Sequence, residues 1–502
     1  MDPENPLAPG DAVVDLKRKE PLIEVHQATD AQRVAYDSWF TEHEERHLRE
    51  LSDLVAIPTL AMDPERGPDL TRGAEFLRKK LSDLGMQEAT VHEGCTFPMV
   101  TAEWSGAEGQ PTVLFYGHFD VQPADPSRWE SDPFEAEVRE GRLYGRGASD
   151  SKGPIVSLLS AIEALVTLDG TLPVNVMFLF DGCEELGSPA IPQWLAENHE
   201  WVSRADYGFN VDAMMHSDDQ GQMWKGLRGG GEVVVTVETA DSDQHSGIYG
   251  GALPNAAIAA SMILGSIFND DGTIAIEDWS EGQTELSVEE RAEIAEAGKA
   301  FDDAAHLEKL GTARFIGDES YSPIERTWIR SSLDVTGFKS GYLEGAASIV
   351  PHRAWFRLMI RTGPGHDTGV LIDRIEKHVE KHTPWGARVE MTTSSAGNAV
   401  LFREDDRNFA IGKTVLTEHF GKEPKILYVG GGVPALSFVP DSGGPSLVTV
   451  GFQRSDENFH ADNEFMRLSS FRTGQRAYAR LLHALVGQPK RDQRSAGQQA
   501  AR

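Results

Sequence analysis

The chain has 502 residues, 40% hydrophobic and 25% charged, so a large core can form without a disulfide or a structural metal. Two domains, or one with a large insertion, is the starting expectation. A formal net charge of −32, with no basic stripe carrying interleaved aromatics, excludes nucleic acid and anionic membranes as partners.

We read the acidity as serving solubility first and recruitment of cations second. Cys95 and Cys183 are the only cysteines. They could pair, but so few thiols fit a reduced compartment better. Cys183 lies beside two glutamates, which raises a metal-ligand role against the commoner one of packing.

Residues 1–35 are rich in proline and charge, with weak periodicity, and read as a partly ordered extension. They contain no basic n-region and no apolar h-region, and nowhere does the chain reach the roughly 18 apolar residues of a membrane span. A cytoplasmic location is expected. The catalytic part then runs over 36–230. Within it, 112–117, 174–180 and 207–211 are short apolar runs rich in β-branched and aromatic residues, and a helix starts near Lys152 between the first two. This alternation predicts βαβ units in an α/β domain with a mixed, mostly parallel sheet.

The texture changes near Gly231. Residues 232–239 and 354–361 alternate apolar and polar positions, 254–268 predicts an apolar helix, and Ser287 with Glu290 forms a capping-box pattern. We read 231–363 as an inserted α+β domain. The catalytic domain resumes over 364–486, with a buried strand at 446–452, and 487–502 reads as a tail.

In open α/β sheets, ligands gather beyond the carboxyl ends of the strands. The run at 112–117 is followed by His118 and Asp120, that at 174–180 by Asp181, Glu184 and Glu185, that at 207–211 by Asp212, and that at 446–452 by His460. Each alone is weak evidence, but four strand ends supplying nitrogen and oxygen ligands point to a metal centre. Residues i and i+2 of an extended chain face the same way, so Asp120 can accept the second ring N–H of His118. Adjacent Glu184 and Glu185 diverge, so one can bind metal while the other stays free as a base. Asp150, in a Gly-rich segment before the helix at Lys152, is either a helix cap or a metal bridge, and spacing leaves both open. The segment lacks phosphate-loop spacing, and an aspartate there would repel an anion.

The motifs Gly-His-Phe-Asp-Val-Gln-Pro (117–123), Gly-Arg-Gly-Ala-Ser-Asp-Ser-Lys-Gly (145–153), Glu-Glu-Leu-Gly-Ser (184–188), Gln-His-Ser-Gly-Ile-Tyr-Gly-Gly (244–251) and Ser-Asp-Glu-Asn-Phe-His (455–460) occur in this order. Together they resemble the M20 family of metallopeptidases, and its dipeptidase branch in particular, over about residues 40 to 485. The resemblance implies two divalent metal ions, zinc foremost with manganese or cobalt as alternatives. His118 and Asp212 would hold one ion, Glu185 and His460 the other, and Asp150 would bridge them. Glu184 would be general base and then acid, acting on a metal-bridging water, with Asp120 orienting His118. The bond after Asp150 would be cis.

The same resemblance makes the insertion at 231–363 a lid and dimerisation domain, and so implies a homodimer built through the lid. His245 would enter the partner protomer's site to stabilise the oxyanion. Arg361 would bind a substrate carboxylate, a task suited to its planar fork of donors. Ser348 stands where threonine is usual and would contact substrate. Gly432 departs from the branch, which carries a serine there, so only its backbone could meet the ligand. The implied substrate is a dipeptide or short peptide with a free carboxylate. Two other readings remain: an N-acyl or N-carbamoyl amino acid amidohydrolase, and a catalytically silent binding or assembly protein on the same fold.

Overall fold

The computed structural model describes residues 22–299, 304–342, 348–395 and 397–491. Residues 1–21 of the expected extension and 492–502 of the expected tail lie outside them. Residues 22–29 run without helix or strand along helix Arg407–Phe420, where the Ile23 amide donates to Thr414 Oγ1 at 3.3 Å. Thr29 then caps helix Asp30–Val55 through a capping box.

The main sheet has six strands in the order Gln87–His92, Met99–Trp104, Asn175–Asp181, Thr112–His118, Tyr207–Asn210, Leu447–Thr449. The last four are mutually parallel and the first two form an antiparallel edge, so the sheet is mixed and mostly parallel. Thr112–His118 is buried continuously from Val113 onward, as a strand covered on both faces should be. Helices Asp30–Val55, Lys152–Asp169, Arg407–Phe420 and Leu468–Ala484 pack together against this core.

A second, four-stranded antiparallel sheet has the order Ser332–Ser340, Arg353–Thr362, Gly229–Glu238, Arg388–Ser395. Gly229–Glu238 and Arg353–Thr362 bury every second residue, which is the pattern of a sheet with one covered face. That face meets helices Ala256–Ile267 and Thr368–His382 around its own core, which includes Val235, Ile263, Phe356 and Ile375. The insertion therefore continues past residue 363. The Gly-Pro-Gly at 363–365 reads as an exit, but it is an internal turn, with the Thr284 amide donating to the Pro364 carbonyl. The helix and strand after it belong to the second sheet.

A small sheet sets the site. Strand Phe465–Arg467 pairs with Arg142–Tyr144, which lays loop 451–464 against loop 145–151. No described helix is long and apolar enough to cross a membrane.

Candidate metal centre

Each strand end delivers a side chain to one place. His118 ends its strand and is 1% exposed. Its Nε2 lies 3.0 Å from Asp150 Oδ1 and 3.7 Å from Asp212 Oδ2. His460 lies across the cluster, its Nε2 at 3.1 Å from Asp150 Oδ2 and 3.2 Å from Glu185 Oε2. Two groups of donor atoms result, His118 with Asp150 and Asp212, and Asp150 with Glu185 and His460. They share one carboxylate, each of whose oxygens faces one group.

That geometry removes one of the two readings of Asp150, the helix cap. Helix Lys152–Asp169 begins after Ser151 with no side-chain cap, and the Asp150 carboxylate turns to the two imidazoles instead. The Asp150–Ser151 peptide bond is cis.

Asp120 does more than the sequence suggested. His118 Nδ1 lies 3.1 Å from the Asp120 carbonyl oxygen and 3.4 Å from its Oδ1. The carboxylate also accepts the amides of Glu184 at 3.0 Å and Glu185 at 3.1 Å, which fixes the turn that separates the two glutamates. Glu185 turns to His460 and accepts from Gln122 Nε2 at 2.7 Å. Glu184 joins neither donor group. Burial pushes its carboxyl well above the ordinary range, and Glu185, Asp212 and Asp120 push the same way against the pull of His118.

Five carboxylates, those of Asp120, Asp150, Glu184, Glu185 and Asp212, crowd around two imidazoles, and no lysine or arginine among the described residues pairs with them. Burial and then the Asp150 charge raise Asp212 to about 6. Hydrogen bonds to Asp150 and Glu185 lift His460 to about 10. Such a surplus of negative charge at low dielectric needs cations, and the mixture of imidazole and carboxylate donors fits zinc-like divalent ions. Cys183 is not among the donors. It is buried and free, its Sγ 3.3 Å from Asp181 Oδ1, and both residues serve the turn beneath Glu184.

Several residues outside the donor groups, in the loops around them, escaped the sequence reading. Gln453 Nε2 donates to Asp212 Oδ1 at 2.9 Å and to the Ser149 carbonyl at 2.8 Å. Glu457 accepts from Ser149 Oγ at 2.5 Å. Arg146 and Glu464 form a buried pair at 2.7 Å. A carboxylate followed at once by a buried apolar strand, as Glu464 is, was the available signal.

The lid candidates form two further groups. His245 lies in the short ladder of Gln244–His245 with Ile349–Val350, where the Ser246 amide donates to the Ser348 carbonyl at 2.9 Å. Both His245 and Ser348 are exposed, and neither makes a hydrogen bond or ion pair with the carboxylate cluster among the described residues. Arg361, half-buried, pairs across its strand with Gly230 and Ser332. It stands near Arg228, whose guanidinium is lowered to about 10 by burial and then by the Arg361 charge. Arg228 Nε donates to the Gly430 carbonyl at 2.9 Å. A Cβ at position 432 would lie 2.5 Å from the Arg228 carbonyl oxygen, so this backbone approach admits only glycine.

Comparison with known proteins agrees with this geometry. Peptidase family M20/M25/M40 matches residues 114–484. A cysteinylglycine-S-conjugate dipeptidase of Corynebacterium striatum is 30% identical over 419 residues, covering 82% of this chain and 87% of the relative. A Cys-Gly metallodipeptidase of Schizosaccharomyces pombe is 26% identical, covering 87% and 94%. Among solved structures, an M20 family metallo-carboxypeptidase from Sulfolobus solfataricus superposes with a TM-score of 0.78 at 27% identity, covering 88% of this chain and 99% of that one.

Proposed function

The chain belongs to peptidase family M20/M25/M40, and from that premise we propose that it is a metal-dependent hydrolase of dipeptides or short peptides with a free C-terminal carboxylate. The observation that carries the proposal is the pair of donor groups sharing Asp150, with Glu184 left free beside them. His118 and Asp212 would hold one divalent ion, Glu185 and His460 a second, and Asp150 both, with zinc the first choice and manganese or cobalt the alternatives. Bound there, the ions would polarise the scissile carbonyl and acidify the attacking water.

The protein's own groups do the rest. Glu184 removes a proton from the water and delivers it to the leaving amine nitrogen. A half-buried carboxyl with raised proton affinity suits that second half, because it holds the proton until the amine takes it. Asp120 keeps His118 and the Glu184–Glu185 turn in register. Arg361 would take the substrate carboxylate beside the Gly430–Gly432 backbone, and Ser348 would lie along the substrate.

His245 would act across a homodimer as the oxyanion donor. Support for the dimer comes from the lid, where Ile248 is 71% and Tyr342 69% exposed, and where Ile258, Met262 and Phe338 are exposed near the unpaired edge strand Ser332–Ser340. The two free thiols support a cytoplasmic location.

The decisive experiment compares wild type with Glu184→Gln, measuring metal content and hydrolysis of dipeptides, N-acetyl and N-carbamoyl amino acids. The expected result is retained metal, with dipeptide turnover reduced by about 10³-fold, within the range of general acid–base catalysis. Near wild-type turnover with full metal would refute the assignment. Preference for the acylated or carbamoylated substrates would move the chain to the amidohydrolases.

A further inference from the structure

One buried carboxylate has no part in the reaction as just described. Glu464 is fully enclosed and follows His460 by four residues, directly before strand Phe465–Arg467. Its Oε2 accepts from Arg146 Nη1 at 2.7 Å and from the Gly147 amide at 3.0 Å. Its Oε1 accepts the amides of Ser149 and Asp150, each at 3.0 Å. Its backbone carbonyl accepts the Gly145 amide at 3.0 Å. The loop thus curls three side-chain-facing amides around an anion that the His460 loop supplies, the arrangement by which a backbone nest holds a charge.

Arg146 closes the other side. Besides Glu464, its guanidinium donates to the Ala461 carbonyl at 3.1 Å and the Pro123 carbonyl at 3.2 Å. One carboxylate therefore fastens the loop carrying Asp150 to the loop carrying His460. Asp150 needs that fixation more than any other donor, because its two oxygens must face two different groups at once, His118 at 3.0 Å and His460 at 3.1 Å. A rotation of the carboxylate that improves one contact worsens the other.

We infer that Glu464 is the positioning residue for Asp150, holding its backbone so that one carboxylate serves both donor groups, and that it thereby sets the affinity for cations at both. The inference rests on the reading of the cluster as a metal centre. Charge-assisted bonds from three amides and a guanidinium are strong and directional. Glutamine cannot replace them, because its NH2 group would face an N–H donor in either orientation.

The experiment titrates metal-stripped protein with Zn²⁺ against a competing chelator and records the melting temperature of the stripped form. Glu457→Gln is the control, a buried carboxylate on the same loop that bonds Ser149 Oγ and the Arg454 and Arg467 amides but not Asp150. Glu464→Gln is expected to weaken Zn²⁺ binding at least tenfold in both steps. Glu457→Gln is expected to lower the melting temperature while leaving both affinities within threefold of wild type. A folded Glu464→Gln with both affinities within threefold of wild type overturns the inference. If that variant does not fold, Glu464→Asp decides: it keeps the charge but retreats from the amides, so binding weakens at least threefold or the inference fails. Wild-type protein that binds no Zn²⁺, Mn²⁺ or Co²⁺ would instead sink the metal-centre reading itself.

Discussion

The carboxylate cluster and the lid candidates were named from the same sequence, yet they stand differently in the folded chain. His118, Asp120, Asp150, Glu184, Glu185, Asp212 and His460 meet in one cluster, buried at His118 and Asp120 and open at His460, because parallel strands end side by side. His245 and Ser348 lie at an exposed two-residue ladder away from that cluster, with His245 paired to Ile349 and the Ser348 carbonyl accepting from the Ser246 amide. The catalytic sheet is covered on both faces, whereas the second sheet buries alternate residues and leaves exposed apolar side chains and both of its edge strands unpaired on one side. The first region is completed by folding. The second, on the dimer proposed above, would be completed by association.

The sharpest way to break this comparison is to remove the shared ligand. Asp150→Ala should abolish tight metal binding and reduce hydrolysis by about 10⁴-fold or more, since both donor groups lose a member. Metal analysis and single-substrate kinetics would check it, and retention of full metal content would show that the two groups are independent. Arg361→Met comes next. It should raise KM and lower kcat/KM by about 10²-fold for substrates with a free carboxylate, the cost of an unpaired charge, while C-terminally amidated substrates change little. Equal losses on both substrates would remove Arg361 from carboxylate recognition.

Mixing tests association directly. In a heterodimer of His245→Ala and Glu184→Gln protomers, one of the two sites is intact, so random exchange should restore about a quarter of wild-type activity. Absence of recovery in verified heterodimers would confine His245 to its own chain.

The smallest expected effect concerns acid stability and separates the catalytic core from its metal chemistry. Burial holds His483 and His419 near 4, below the ordinary 6.5. Both stay neutral in the folded protein while the unfolded chain takes up protons, so stability is complete above pH 6.5 and declines as pH falls toward 4. Each contributes roughly 3 kcal/mol across that window. Melting curves from pH 7.5 to 4.5 should show this decline, and His483→Gln should flatten part of it without altering metal content.

The cluster was legible because its side chains follow apolar runs directly, and the strand order then brings them together whatever the intervening sequence. The role of Asp150 was not legible. A glycine-rich turn before a helix suits a cap as well as a ligand, and the residue that holds the Asp150 amide, Glu464, lies over 300 residues along the chain. Gln453 and Gln122 were missed because uncharged amides carry no pattern until the strands are in place. The lid's far boundary failed for a related reason. Strand Arg388–Ser395 pairs with Gly229–Glu238, a partner that no local texture after Gly363 could announce.

The unequal burial of the two imidazoles has a consequence for supply. His118 is 1% exposed, whereas the side chain of His460 is 54% exposed. An ion held beside His460 would meet the solvent directly, and one held beside His118 would lie deeper. If two ions are held there, they should load and strip in order, the outer one last in and first out. Under a mild chelator, activity should fall in a fast phase that added metal reverses at once, followed by a slow phase that it reverses only gradually.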